Sequence, residues 1–171
     1  MWVNVGQVKV ESSVNKKRAN LAGNWILDMS KSDLGSLKPD LLYDSLTLLI
    51  SYQEPKITIT RKLIKNKHGR VQQLVYYTDE RGEKNPTFTG KRTIESKTKW
   101  DGTLLLVKGI MLAPTGGDII TQETTEKWEI SADGTMLVQV ISAGHFRSKF
   151  GKTVFKYDGA ETIKRVFTKV G

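Results

Sequence analysis

The sequence predicts an all-β domain: an antiparallel up-and-down β-barrel, or strongly curled sheet, of about eight to ten strands. Three observations carry this expectation. Asp101-Gly102 and Asp133-Gly134 each stand between two strand-like runs. That is the strongest short-range hairpin signal, because a type I′ turn needs φ > 0 at both central positions. Short alternating segments bounded by Gly, Pro, Asn and Asp recur at roughly 8–12-residue spacing, as in barrels and sandwiches. No segment shows the 3.6-residue apolar period of an amphipathic helix.

Taken in order, residues 1–10 alternate in part (Trp2, Val3, Val5, Val8, Val10) and suit an edge strand or a frayed arm. Residues 12–20 are polar and basic and read as a linker. Residues 1–20 are therefore an N-terminal extension, and 21–171 the barrel domain. Gly23, Trp25, Leu27 and Met29 share one face of a first strand. Residues 30–44 hold Ser, Asp, Gly and Pro around Leu34, Leu37, Leu41 and Leu42, a long loop with room for one helical turn. Strands follow at 45–53 and 56–64, where Ile57-Thr58-Ile59-Thr60 shows period two, with a turn at Gln53-Glu54-Pro55. Asn66-Lys67-His68-Gly69 is the next turn, 71–78 a strand and Asp79-Glu80-Arg81-Gly82 a turn. A short strand at 87–90 leads to 92–100, then to the first Asp-Gly turn and a return strand at 103–112. Residues 113–117 read as a loop, 119–130 as a long strand, and 136–142 as its partner across the second Asp-Gly turn. Residues 144–151 read as a loop at the barrel mouth, before strands at 153–157 and 162–170. Sequential hairpins favour an up-and-down barrel over a Greek key, which needs long crossovers.

The 171 residues fit one domain large enough to bury a core. The 38% hydrophobic content is low, as expected where one face of each strand stays wet. There is no cysteine, which excludes disulfides and thiolate chemistry. The net charge of +9 favours anionic partners, but the lysines and arginines are dispersed along alternating segments, as solubilising charge is. No run approaches the length of a transmembrane helix, so no stable membrane insertion is expected, and residues 1–20 lack the apolar stretch of an export signal.

Three stretches carry a resemblance: Leu21-Ala22-Gly23-Asn24-Trp25-Ile26-Leu27-Asp28-Met29-Ser30-Lys31-Ser32, the Lys99-Trp100-Asp101-Gly102 turn, and Glu126-Lys127-Trp128-Glu129-Ile130-Ser131-Ala132-Asp133-Gly134. From Leu21 to the C-terminus the chain resembles bacterial lipocalin-like proteins, and Gly23-Asn24-Trp25 resembles the Gly-x-Trp signature of lipocalins and fatty-acid-binding proteins, the calycin group. The resemblance implies a barrel able to hold one apolar ligand, and an exported (periplasmic or secreted) protein. It also implies a late basic residue packed over the Gly-x-Trp tryptophan, Lys164 or Arg165. Fatty-acid-binding proteins often hold a ligand carboxylate with Arg-x-Tyr on the last strand; here the match is Arg165-Val166-Phe167, without the hydroxyl.

Trp25 is expected to close one end of the barrel, its indole N–H finding a carbonyl. Tyr76, Phe88, Trp100, Met111 and Trp128 either line a cavity or fill it. His145, in the expected mouth loop, is the better placed of the two histidines; His68 reads as a solvated turn residue. Two distant histidines without cysteine make no metal site, and no cofactor is indicated. No Gly-x-Ser-x-Gly elbow is present, and Thr89-Gly90-Lys91-Arg92-Thr93 lacks the upstream glycine of a phosphate-binding loop. Turn acids such as Asp79-Glu80 need no acid–base role. Aromatics do not cluster on one strand pair, so nucleic acid is not expected. The expected function is non-enzymatic binding of a small apolar or amphipathic molecule inside the barrel. Arg147, Lys149 or Arg165 would attract an anionic head group. The rival is a filled barrel serving as a structural or interaction module; a barrel enzyme centred on His145 is a third option. Oligomeric state is not legible.

Overall fold

The computed structural model describes residues 18–35, 43–87, 90, 92–115, 118–150, 153–157 and 161–171, with the backbone alone described at 112–115, 118–121, 145–150, 153–157 and 161. Among the described residues eleven strands form one antiparallel sheet: β1 (Gly23–Leu27), β2 (Ser45–Gln53), β3 (Lys56–Lys65), β4 (His68–Tyr77), β5 (Glu83–Pro86), β6 (Thr93–Asp101), β7 (Leu104–Thr115), β8 (Asp118–Ile130), β9 (Met136–Phe150), β10 (Thr153–Tyr157) and β11 (Glu161–Val170). Their order is β4-β3-β2-β1-β11-β9-β8-β7-β6-β5, with β10 beside β9. The first strand pairs with the last, Trp25 opposite Lys169, so the meander curls into a nearly closed up-and-down barrel. No helix occurs among the described residues.

Long β9 splits its partners. Its first half pairs with β11 (Gln139 opposite Arg165), its second with β10 (Arg147 opposite Lys156). The expected loop at 144–151 is thus strand as far as Phe150, and Ala113-Pro114-Thr115 likewise extend β7. Opposite β8 the register shifts: Gln122 faces Phe146 and Glu123 faces Gly144, leaving His145 as the extra residue of a bulge. The strand expected at 87–90 lies earlier, at Glu83–Pro86, a composition poor in strand formers.

The turn chemistry also differs from expectation. Neither aspartate of the two Asp-Gly pairs has positive φ; Gly102 (φ 62) and Gly134 (φ 74) do. Asp101 stays in the ladder opposite Leu104. The second hairpin is longer. Ser131 N donates to Met136 O, and the Asp133 carboxylate accepts from Ser131 Oγ, Thr135 N and Thr135 Oγ1, which holds its pKa down at about 2. The type I′ pattern, φ > 0 at two successive positions, occurs instead at Asn66 (φ 50) and Lys67 (φ 64), so β4 starts at His68 rather than 71. Lysine is strained there; Lys67→Gly is expected to stabilise the protein by about 0.5–1 kcal/mol, read as a higher urea midpoint at unchanged slope.

Alternate residues face inward and make the core. Trp25, Leu48, Ile50, Ile57, Ile59, Leu74, Tyr76, Leu105, Trp128, Leu137 and Phe167 are buried together at one end. The expected indole bond is present: Trp25 Nε1 donates to Leu21 O at 3.0 Å. The basic residue over the indole is Lys169, not Lys164 or Arg165, with Nζ 5.4 Å from the ring centroid. Gly23 explains the remaining signature position: its φ is 139°, and a Cβ there would meet Lys169 Cε at 3.1 Å. Arg165 faces the barrel interior instead. Lys164 is exposed and pairs its backbone with Asp33.

Candidate functional site

Above the apolar floor five strands, β3, β4, β8, β9 and β11, bring a polar side chain inward. Period two sets this directly: Arg61 follows Ile57 and Ile59 on one face of β3, Gln72 shares the face of Leu74 and Tyr76, Gln139 that of Leu137, Arg165 that of Phe167. Arg61, Gln72, Gln139 and Arg165 are all buried, and Glu126 is half-buried one step above Trp128. Arg61 Nε donates to Gln72 Oε1 at 2.8 Å. Arg165 Nη1 donates to Gln139 Oε1 at 3.4 Å, and Gln139 Nε2 donates to Glu126 Oε2 at 3.0 Å. The same carboxylate oxygen accepts from Trp128 Nε1 at 3.2 Å. A relay of three hydrogen bonds thus runs from Arg165 to the indole of Trp128.

The electrostatics follow from burial. Desolvation first and the Arg61 guanidinium second bring the pKa of Arg165 down to about 10, against the opposing pull of Glu126 and Tyr43. Arg61 is lowered for the same first reason; the Tyr76 phenol and Glu126 oppose that, while Arg70 adds to it. Tyr76 is held well above 10, first by burial and then by the Glu126 charge. Two like charges, on β3 and β11, near one carboxylate make a site suited to an incoming anion.

Past this layer the inward positions open toward one side. Along β6 the sequence Thr98, Ser96, Ile94 goes from buried to half-buried, as do Leu137, Gln139, Ile141 on β9 and Phe167, Arg165, Ile163 on β11. On β2 and β3, Leu46 and Leu63 remain buried. The opening is therefore walled by β6, β7, β8, β9 and β11, with Met111 half-buried on its β7 side and Thr124 on its β8 side.

The structure divides the residues singled out in the sequence. Tyr76 and Trp128 belong to the packed floor. Trp100 packs at the same end against Tyr52, donating from Nε1 to its hydroxyl at 3.1 Å. Arg165 and Met111 lie in the polar layer and on the open side. His145 and Arg147 lie in β9 and Lys149 near its end, their side chains outside the described residues, as is Phe88. His68 is exposed at the start of β4. Arg61, Gln72, Glu126 and Gln139 were missed; their signal is a polar residue in register with apolar neighbours on a strict two-residue period.

A groove of about 1180 Å³ crosses β5 to β8, lined by Lys84, Lys97, Lys99, Lys108, Glu95 and Glu123 among others, and shares Ser96 with the open wall. None of the candidate ligand-binding residues named from the sequence lines it. Its charges alternate in sign, with Lys84 Nζ 3.1 Å from Glu95 Oε1, so it favours no single ligand charge.

No protein-family model matches the sequence, and no curated protein matches it. Among solved structures the fold is similar to that of the REP1-NXSQ fatty acid transporter, with a TM-score of 0.53 and 15% identity over 88% of this chain and 96% of that one. A tyrosine-to-phenylalanine mutant of that transporter gives 0.51 and 16%, over 88% and 98%. At such identity the likeness concerns the fold alone, and it agrees with the antiparallel β-barrel expected from the sequence.

Proposed function

We propose that this protein binds, without catalysis, an amphipathic small molecule with an anionic head group and an apolar tail, of the fatty-acid kind. The observation that carries the reading is the buried Arg61–Arg165 pair set between a packed apolar floor and a half-open wall. The floor leaves no space for a tail: Trp25, Ile57 and Leu137 are 0% exposed. The head group therefore points inward to the arginines, and the tail runs outward along Ile94, Met111, Ile141 and Ile163. Burial of the tail supplies about 25 cal/mol per Å². That two structures of the same fold are named fatty acid transporters supports the ligand class.

Native mass spectrometry against the denatured mass is the test. A co-purifying species of a few hundred daltons, displaced by a long-chain carboxylate, is the expected result. Arg165→Gln is expected to weaken that carboxylate by at least about tenfold, near 1.4 kcal/mol, while weakening a tail-matched alcohol much less. The complete packing of the floor supports a second reading, a filled barrel serving as an interaction module. A clean apo mass with no carboxylate binding would favour it and sink the first.

A further inference from the structure

The buried polar layer holds a carboxylate where an anionic ligand is expected to sit, and it costs something to keep it there. Glu126 is half-buried, and its Oε2 takes hydrogen bonds from Gln139 Nε2 (3.0 Å) and Trp128 Nε1 (3.2 Å). Two hydrogen bonds separate it from the Arg165 guanidinium, through the two ends of one amide. A neutral carbonyl would also satisfy the indole, without the desolvation penalty that a half-buried charge carries and that its stronger hydrogen bonds must offset. The charge itself is the property to explain.

We propose that Glu126 is a specificity-determining residue that lowers the positive charge of the head-group site by one unit and so sets its preference for singly over doubly charged head groups. The inference rests on the binding reading above and deepens it. A head group seated on Arg165 lies within the same hydrogen-bonded relay as Glu126, in surroundings where charges are screened far less than in water. Glu126 repels a doubly charged head group more than a singly charged one, which offsets part of the extra attraction that the arginines give the second charge. A phosphate monoester is therefore disfavoured against a carboxylate of equal tail. Trp128 reports the event, because its N–H is bonded to the carboxylate that the ligand approaches.

The test uses three tail-matched ligands at pH 8, a long-chain alcohol, its carboxylic acid and its phosphate monoester, titrated by calorimetry and tryptophan fluorescence. The wild-type chain is expected to bind the carboxylate at least about tenfold more tightly than the phosphate. Glu126→Gln keeps an acceptor for both donors and is expected to shift that ratio at least about tenfold toward the phosphate, leaving the alcohol nearly unchanged. Gln139→Glu, which adds a negative charge beside Arg165, is expected to shift it the opposite way. A wild-type chain that binds the phosphate as tightly as the carboxylate overturns the inference. So does a Glu126→Gln chain with the wild-type ratio, and both results leave the binding reading standing. If none of the three ligands binds, the binding reading itself fails.

Discussion

Trp25→Ala is expected to lower stability by about 3–5 kcal/mol, measured by urea unfolding. The indole is fully buried, and its removal leaves a cavity at the point where the barrel closes on itself. β1 is the strand that joins β2 to β11, with Trp25 opposite Leu48 on one side and Lys169 on the other. The loss is compound: apolar area, the hydrogen bond from Nε1 to Leu21 O, and the lysine ammonium over the ring. The parts can be separated. Trp25→Phe keeps most of the area and strands the Leu21 carbonyl, costing about 1–3 kcal/mol. Lys169→Met removes the exposed cation alone and costs about 0.5–1 kcal/mol. An alanine variant no less stable than the phenylalanine one would show that the site is not packed as described.

The parts of the fold that were legible in the sequence are those fixed by local chemistry. Two-residue alternation places the strands to within a few residues, and glycine marks both Asp-Gly hairpins. The failures have physical causes. Asn66 and Lys67 adopt left-handed backbone without a glycine, because the pairing of β3 with β4 over its whole length imposes the turn. The segment 144–150 reads as loop from its Gly, His, Arg and Ser, yet pairing with β8 and β10 makes it strand. Residue 169 covers Trp25 by register, which no motif spacing contains. For the site, Arg165 was found from the last strand. Its partners Arg61, Gln139 and Glu126 come from three other strands, and only the curl of the sheet brings them together. Each was visible as a polar residue out of keeping with its apolar face, a weaker signal than an aromatic and one that the aromatics obscured.

Asn85→Leu is expected to open the seam where the barrel fails to close by backbone pairing, at a cost of about 1–3 kcal/mol. β4 and β5 are neighbours in space with no ladder between them. Their backbone groups still need partners, and side chains supply them. Asn85 accepts from Val75 N through Oδ1 and donates to Val75 O through Nδ2, both at 2.8 Å, so its amide takes the place of a peptide unit in the missing ladder. Glu83 Oε2 accepts from Tyr77 N at 3.2 Å, while its Oε1 accepts from Ser96 Oγ and Thr98 Oγ1 at 2.7 Å each, tying β4 to β6 across β5. Gln72 Nε2 reaches Thr87 O at 3.0 Å and so links the seam to Arg61. Leucine matches asparagine in size but offers neither donor nor acceptor. The Val75 and Tyr77 amides should then exchange with solvent deuterons well before those of β2 and β3, whose ladders are untouched. Asn85→Asp, which keeps an acceptor for Val75 N but no donor for Val75 O, should fall between the two. Unaltered exchange at Val75 in the leucine variant would mean that β4 is held by its pairing with β3 alone. The seam would then be a passive gap, and the polar layer would not depend on it.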